Sequence, residues 1–71
     1  MYVELFGEQV KSLREERGMT KRDLAEAAGI SRTTVRNAER GEPVRTKTAR
    51  GVATALGVYP LRRLGRPAHR P

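Results

Sequence analysis

Arg32, Thr33, Arg36 and Asn37 place two guanidinium groups, a hydroxyl and a carboxamide within six consecutive positions. Each of these groups hydrogen-bonds a base edge. A guanidinium donates twice to guanine O6 and N7, a carboxamide pairs with adenine N6 and N7, and a hydroxyl serves either. On a helix these positions are neighbours three and four apart, so they share a face. The chemistry on offer is recognition of a groove, with no bond made or broken. An ordinary solvated helix face would carry the same side chains, so the elements around them must decide between the two readings.

Those elements are two short helices in TKRDLAEAAGISRTTVRNAERG, Thr20 to Gly41. Thr20 followed three residues later by Asp23 predicts a capped helix start, with the hydroxyl accepting an orphan amide and the acid at the positive end of the dipole. Leu24, Ala25 and Ala28 then form a narrow apolar stripe whose alanines let another backbone approach. Gly29 can take a positive φ without a Cβ penalty, and Ile30 follows as an apolar plug, so the chain turns there. Ser31 caps the next helix, Val35 and Ala38 supply its inner face, and Gly41 closes it. The reading of this stretch is a small DNA-binding domain.

LREERGMTKRDLAEAAGISRTTVRNAERG, with ATALGV further on, resembles the lambda-repressor-like, Cro-type (Xre) helix-turn-helix domains of phage repressors and many bacterial regulators, over roughly residues 5 to 64. The resemblance implies that the third helix enters the major groove while the second crosses the backbone above it. It matches Arg32, Thr33 and Asn37 to base-reading positions, with Arg36 on the same exposed face. Thr20, Lys21 and Thr34 become phosphate-facing candidates, and Lys21 stands where the family often has glutamine. Arg45 and Lys47, expected in the loop after the third helix, match basic positions facing the sugar-phosphate backbone. The resemblance also implies an ion pair between Arg14 and Glu39 that locks the first helix to the third.

Seventy-one residues make one domain near the lower limit for a single core. There is no cysteine, so neither a disulfide framework nor a thiolate metal site arises. The longest nearly apolar run, Gly51 to Val58, is too short to span a bilayer and the N-terminus lacks a signal pattern, so a cytoplasmic protein is expected. Residues 1 to 42 carry eight basic and eight acidic side chains, so the whole net charge of +7 lies from Pro43 onward, where there is no acid. Such one-sided charge fits a polyanion partner, although for residues 66 to 70 alone a solubilising tail explains it better.

The remaining elements follow from periodicity. Phe6, Val10, Leu13 and Arg14 recur at helical spacing and predict a first helix from about Val3 or Leu5 to Arg17, ended by Gly18. GEPVRTK reads as a loop. A fourth helix begins near Thr46 or Thr48, with Ala49, Val52, Ala53 and Leu56 inside and Gly57 as terminator. Gly51 within it points to close approach of another backbone. A short fifth helix has Pro60 in its first turn and Leu61 and Leu64 as packing residues. The fold class is all-α, a bundle of four to five short helices over residues 1–64, with residues 65–71 a basic, disordered tail. The expected core is Phe6, Val10, Leu13, Met19, Leu24, Ala28, Ile30, Val35, Ala38, Val52, Leu56, Val58, Leu61 and Leu64.

Catalysis finds no support: there is no phosphate-binding glycine loop, no metal-spaced histidine set and no nucleophile beside a base. Neither a cofactor nor a small-molecule ligand is expected. The partner is double-stranded DNA and the function transcriptional regulation, most simply repression by a phage or bacterial regulator. The alternative is an antitoxin-like or other interaction module whose DNA binding is secondary. In the family the region from Val58 to Leu64 often forms a dimer contact. Here Pro60, Arg62, Arg63 and an early stop depart from that pattern, and the two arginines would bring like charges together across the two-fold axis, leaving open a homodimer that pairs only on DNA, where phosphates offset the repulsion.

Overall fold

A computed structural model describes residues 1–69. The order of elements is β1 (Tyr2–Leu5), α1 (Gly7–Glu16), α2 (Lys21–Ala28), α3 (Arg32–Glu39), β2 (Pro43–Arg45), α4 (Thr46–Leu56), a 3-10 turn (Leu61–Arg63) and β3 (Gly65–Ala68). The chain is therefore not all-α: four helices pack beside a three-stranded antiparallel sheet in the order β2-β1-β3. Val3 lies opposite both Val44 and Pro67, and Glu4 lies opposite Pro43 and Arg66.

The physical cause of the sheet is a two-residue period at the start of the chain. Val3 and Leu5 point to one face and are buried, while Tyr2 and Glu4 point to the other. β1 is the middle strand, and the two prolines sit on the outer strands, where a missing ladder donor is tolerated. This alters three expectations. The first helix begins only at Gly7, and Phe6 is its N-cap residue, 39% exposed rather than core. The presumed loop after the third helix contains β2. The presumed disordered tail forms β3 as far as Ala68, while its last two residues, 70 and 71, lie outside the described residues. The expected fifth helix is a single 3-10 turn, with Pro60 before it as the N-cap.

The core gains Val3, Leu5 and Val44 from the sheet. Around them Val10, Leu24, Val35, Val52, Leu56 and Leu64 are essentially inaccessible to solvent. Leu13, Met19, Ala28, Ile30, Val58 and Leu61 are partly buried against that cluster. α2 packs on α4 at Gly51, where a Cβ would stand 2.8 Å from the Ala28 carbonyl oxygen. Only glycine permits this approach, and it fixes the height at which α2 rides over α4. Among the described residues no helix is long and apolar enough to cross a membrane.

Candidate nucleic-acid interface

The two helices that carry the candidate residues are each set by side-chain caps. Thr20 Oγ1 accepts from the Asp23 amide at 3.0 Å, and the Thr20 amide donates to Asp23 Oδ2 at 2.9 Å, closing a reciprocal capping box. Donation from the Thr20 amide, then from its hydroxyl, holds the Asp23 carboxyl below the usual aspartate range, with the Arg22 charge adding to the effect. The helix start leaves the Lys21 and Arg22 amides without an intrahelical acceptor. Such a terminus favours an anion.

At the other end of α2, Gly29 adopts φ +71°, and the Ile30 amide donates to the Ala25 carbonyl at 2.9 Å. That left-handed residue makes the turn between the helices as tight as it is. Ser31 Oγ then accepts from the Thr34 amide at 3.1 Å and lies 2.9 Å from Thr34 Oγ1. Val35 and Ala38 anchor α3 to the core, leaving Arg32, Thr33 and Arg36 exposed.

Thr20, Lys21 and Arg22 from the start of α2 meet Arg32, Thr33 and Arg36 from α3 around one surface concavity of about 520 Å3. Its lining holds four cationic side chains and no acid. Three base-edge candidates are thereby joined to two phosphate candidates. Arg22 completes the group and was passed over in the sequence, where its i,i+4 spacing to Glu26 marks it as half of a surface pair. That pair exists, Nε to Oε2 at 3.4 Å, but both side chains are largely exposed, so it holds the arginine weakly.

The other candidates lie outside this concavity. Asn37 is half-buried further along α3. Thr34 is half-buried and engaged with the Ser31 hydroxyl. Arg45 is the last residue of β2 rather than part of a loop, and its guanidinium sits 5.9 Å from the centre of the Tyr2 ring. Lys47 is exposed in the first turn of α4. The Thr46 amide at that helix start donates to the Met1 carbonyl at 3.0 Å, so the sheet positions the segment bearing both cations.

Behind the concavity, Arg14 of α1 fixes the far end of α3. Its Nε donates to Glu39 Oε2 at 2.6 Å and its Nη1 to the Met19 carbonyl at 2.8 Å. The side chains of Arg14 and Glu39 are 9% and 7% exposed. No buried side-chain polar atom among the described residues lacks a hydrogen-bond partner.

Comparison with known proteins agrees with this geometry. Residues 10–64 match a family model described as helix-turn-helix. An Archaeoglobus fulgidus protein, provisionally named an HTH-type transcriptional regulatory protein, is 30% identical over 63 residues, which are 89% of this chain and 20% of that protein. The chain thus spans about a fifth of that relative's length. The crystal structure of the restriction-modification controller protein C.AhdI from Aeromonas hydrophila superposes with a TM-score of 0.72 at 33% identity, covering 80% of this chain and 86% of the other.

Proposed function

The chain belongs to the lambda-repressor-like (Xre) helix-turn-helix family, whose members bind DNA to regulate transcription, and on that premise we propose that it is a sequence-specific repressor reading the major groove with α3. The observation that carries this reading is the acid-free concavity joining the start of α2 to Arg32, Thr33 and Arg36. Base edges accept from α3, while a phosphate takes the Lys21 ammonium and the open amides of the α2 terminus. Asn37 extends the reading surface, and Arg45 and Lys47 add phosphate contacts that orient the domain without reading sequence. Two copies pair on a dyad-symmetric site, where the phosphates offset the arginines near Leu61.

The likeness to C.AhdI favours one particular class of target, the genes of a restriction-modification system. The experiment is selection of bound duplexes from a random DNA pool at near-physiological salt, followed by sequencing. An inverted repeat with half-sites about one helical turn apart, ~34 Å, is expected. A single half-site would refute pairing, and no enrichment by the folded protein would refute sequence-specific recognition altogether.

A further inference from the structure

Between β3 and the start of α4 the apolar interior opens to the surface. Val3 is buried, yet its cross-strand partner Pro67 is exposed, because β3 extends beyond the cover that α4 gives to β1 and β2. The gap is a hollow of about 260 Å3 with a predominantly apolar wall that includes Val3, Leu61 and Pro67. Three arginines, Arg50 of α4, Arg62 of the 3-10 turn and Arg66 of β3, complete its lining, which contains no acid. Arg66 is matched by Glu4, Nε to Oε1 at 3.2 Å. Among the described residues, Arg50 and Arg62 have no carboxylate within ion-pair distance.

An apolar hollow beside two uncompensated guanidinium groups has the complement of an amphipathic anion. We propose that it binds a small monocarboxylate with an aromatic or short aliphatic body, the body against Val3, Leu61 and Pro67 and the carboxylate held by Arg50 and Arg62. Guanidinium and carboxylate match in planar, two-point geometry, which favours a carboxylate over a spherical anion. The volume falls just below the ~300–1,000 Å3 usual for ligand pockets, which limits the body to one ring or a short chain. The hollow shares no residue with the concavity between α2 and α3, so base reading by α3 does not depend on it, whereas Leu61 and Arg62 belong both to the hollow and to the segment where two copies are proposed to pair on DNA. A ligand there bridges α4, the 3-10 turn and β3, and raises the melting temperature by mass action.

The test is titration of the 15N-labelled chain with benzoate and octanoate, alongside benzyl alcohol, octanol and inorganic phosphate. Saturable amide shifts clustered at residues 1–3, 46–50 and 61–67 are expected, with each acid binding about ten-fold more tightly than its alcohol. Arg50→Gln with Arg62→Gln, both at exposed positions, removes that ten-fold preference and leaves the rest of the spectrum unchanged. Equal binding of acid and alcohol overturns the proposal. So do equal shifts from phosphate, or undiminished acid binding by the double variant. If the acids shift nothing while the double variant loses DNA affinity with a shallower salt dependence, the arginines are phosphate contacts and the proposal fails while DNA binding stands.

Discussion

Arg14 of α1 grips Glu39 at the end of α3 through an Nε to Oε2 bond of 2.6 Å, with the second guanidinium branch 3.4 Å from Oε1. Both side chains are withdrawn from water, so neither partner is tolerable alone. Glu39→Ala is expected to cost about 3–5 kcal/mol in urea denaturation. Replacing both, Arg14→Met with Glu39→Leu, should cost less than Glu39→Leu alone, because no unpaired charge remains inside. A loss under about 1 kcal/mol for Glu39→Ala would mean the pair is screened like a surface one.

Gly51 sets two effects against each other. Alanine in a helix interior gains about 1 kcal/mol over glycine. Its Cβ, however, would stand 2.8 Å from the backbone oxygen of Ala28, which no rotamer change relieves. Steric cost should win, and Gly51→Ala is expected to lower stability by about 1–3 kcal/mol. A raised melting temperature would show that α2 and α4 separate freely.

The cap at Thr20 makes part of the stability depend on acid. Asp23 titrates below its ordinary 3.8 when folded, so the folded state binds its proton less readily than the unfolded chain. Its contribution is therefore complete above that ordinary value and is lost as pH falls through the lower folded one. The stability advantage of the wild type over Asp23→Asn should shrink as pH falls below the ordinary aspartate value and disappear at the acid end. Thr20→Ala, which removes the hydroxyl, should cost about 1 kcal/mol at neutral pH. An advantage over Asp23→Asn that persists at the acid end would remove the carboxylate from the account.

On DNA the base-reading and phosphate-facing side chains are separable. Arg32→Ala and Asn37→Ala should reduce discrimination between sites by about 1–3 kcal/mol while leaving non-specific binding nearly intact. Lys47→Ala should weaken all sequences alike and lower the slope of log affinity against log salt by about 0.9. Quantitative binding across a salt series distinguishes them. An unchanged site preference in Arg32→Ala would take α3 out of the groove.

The helices were legible because their signals are local. Thr20 with Asp23, Gly29, Ser31 and Gly57 each declare a helix end within a few residues, and the structure uses all four. The sheet was not legible, because its strands are three or four residues long and its pairings join positions as distant as Tyr2 and Ala68. Two of the strands contain proline, and Arg66 and Pro67 read as tail composition rather than as a strand edge. Val3 and Leu5 did carry a two-residue period, but Phe6, Val10 and Leu13 imposed a helical one over the same region and pulled Phe6 into the expected core. Of the candidate site, the part built on α2 and α3 followed from sequence. Arg22 did not, since its neighbours in space come from the fold.

The middle strand of the sheet is also the first element of the chain. Its two partners are contributed by residues 43–45 and 65–68. During synthesis β1 therefore waits for three helices before β2 follows, and its other edge stays unpaired until the fourth helix and about sixty residues have left the ribosome. The helices and β2 can dock in the meantime, but the edge of β1 that β3 will occupy stays open beside Val3 and Leu5 until Gly65–Ala68 emerges. A ribosome stalled before that point would display a nearly complete helical core with an open apolar strand at its side, so chaperone demand should fall sharply as β3 is released.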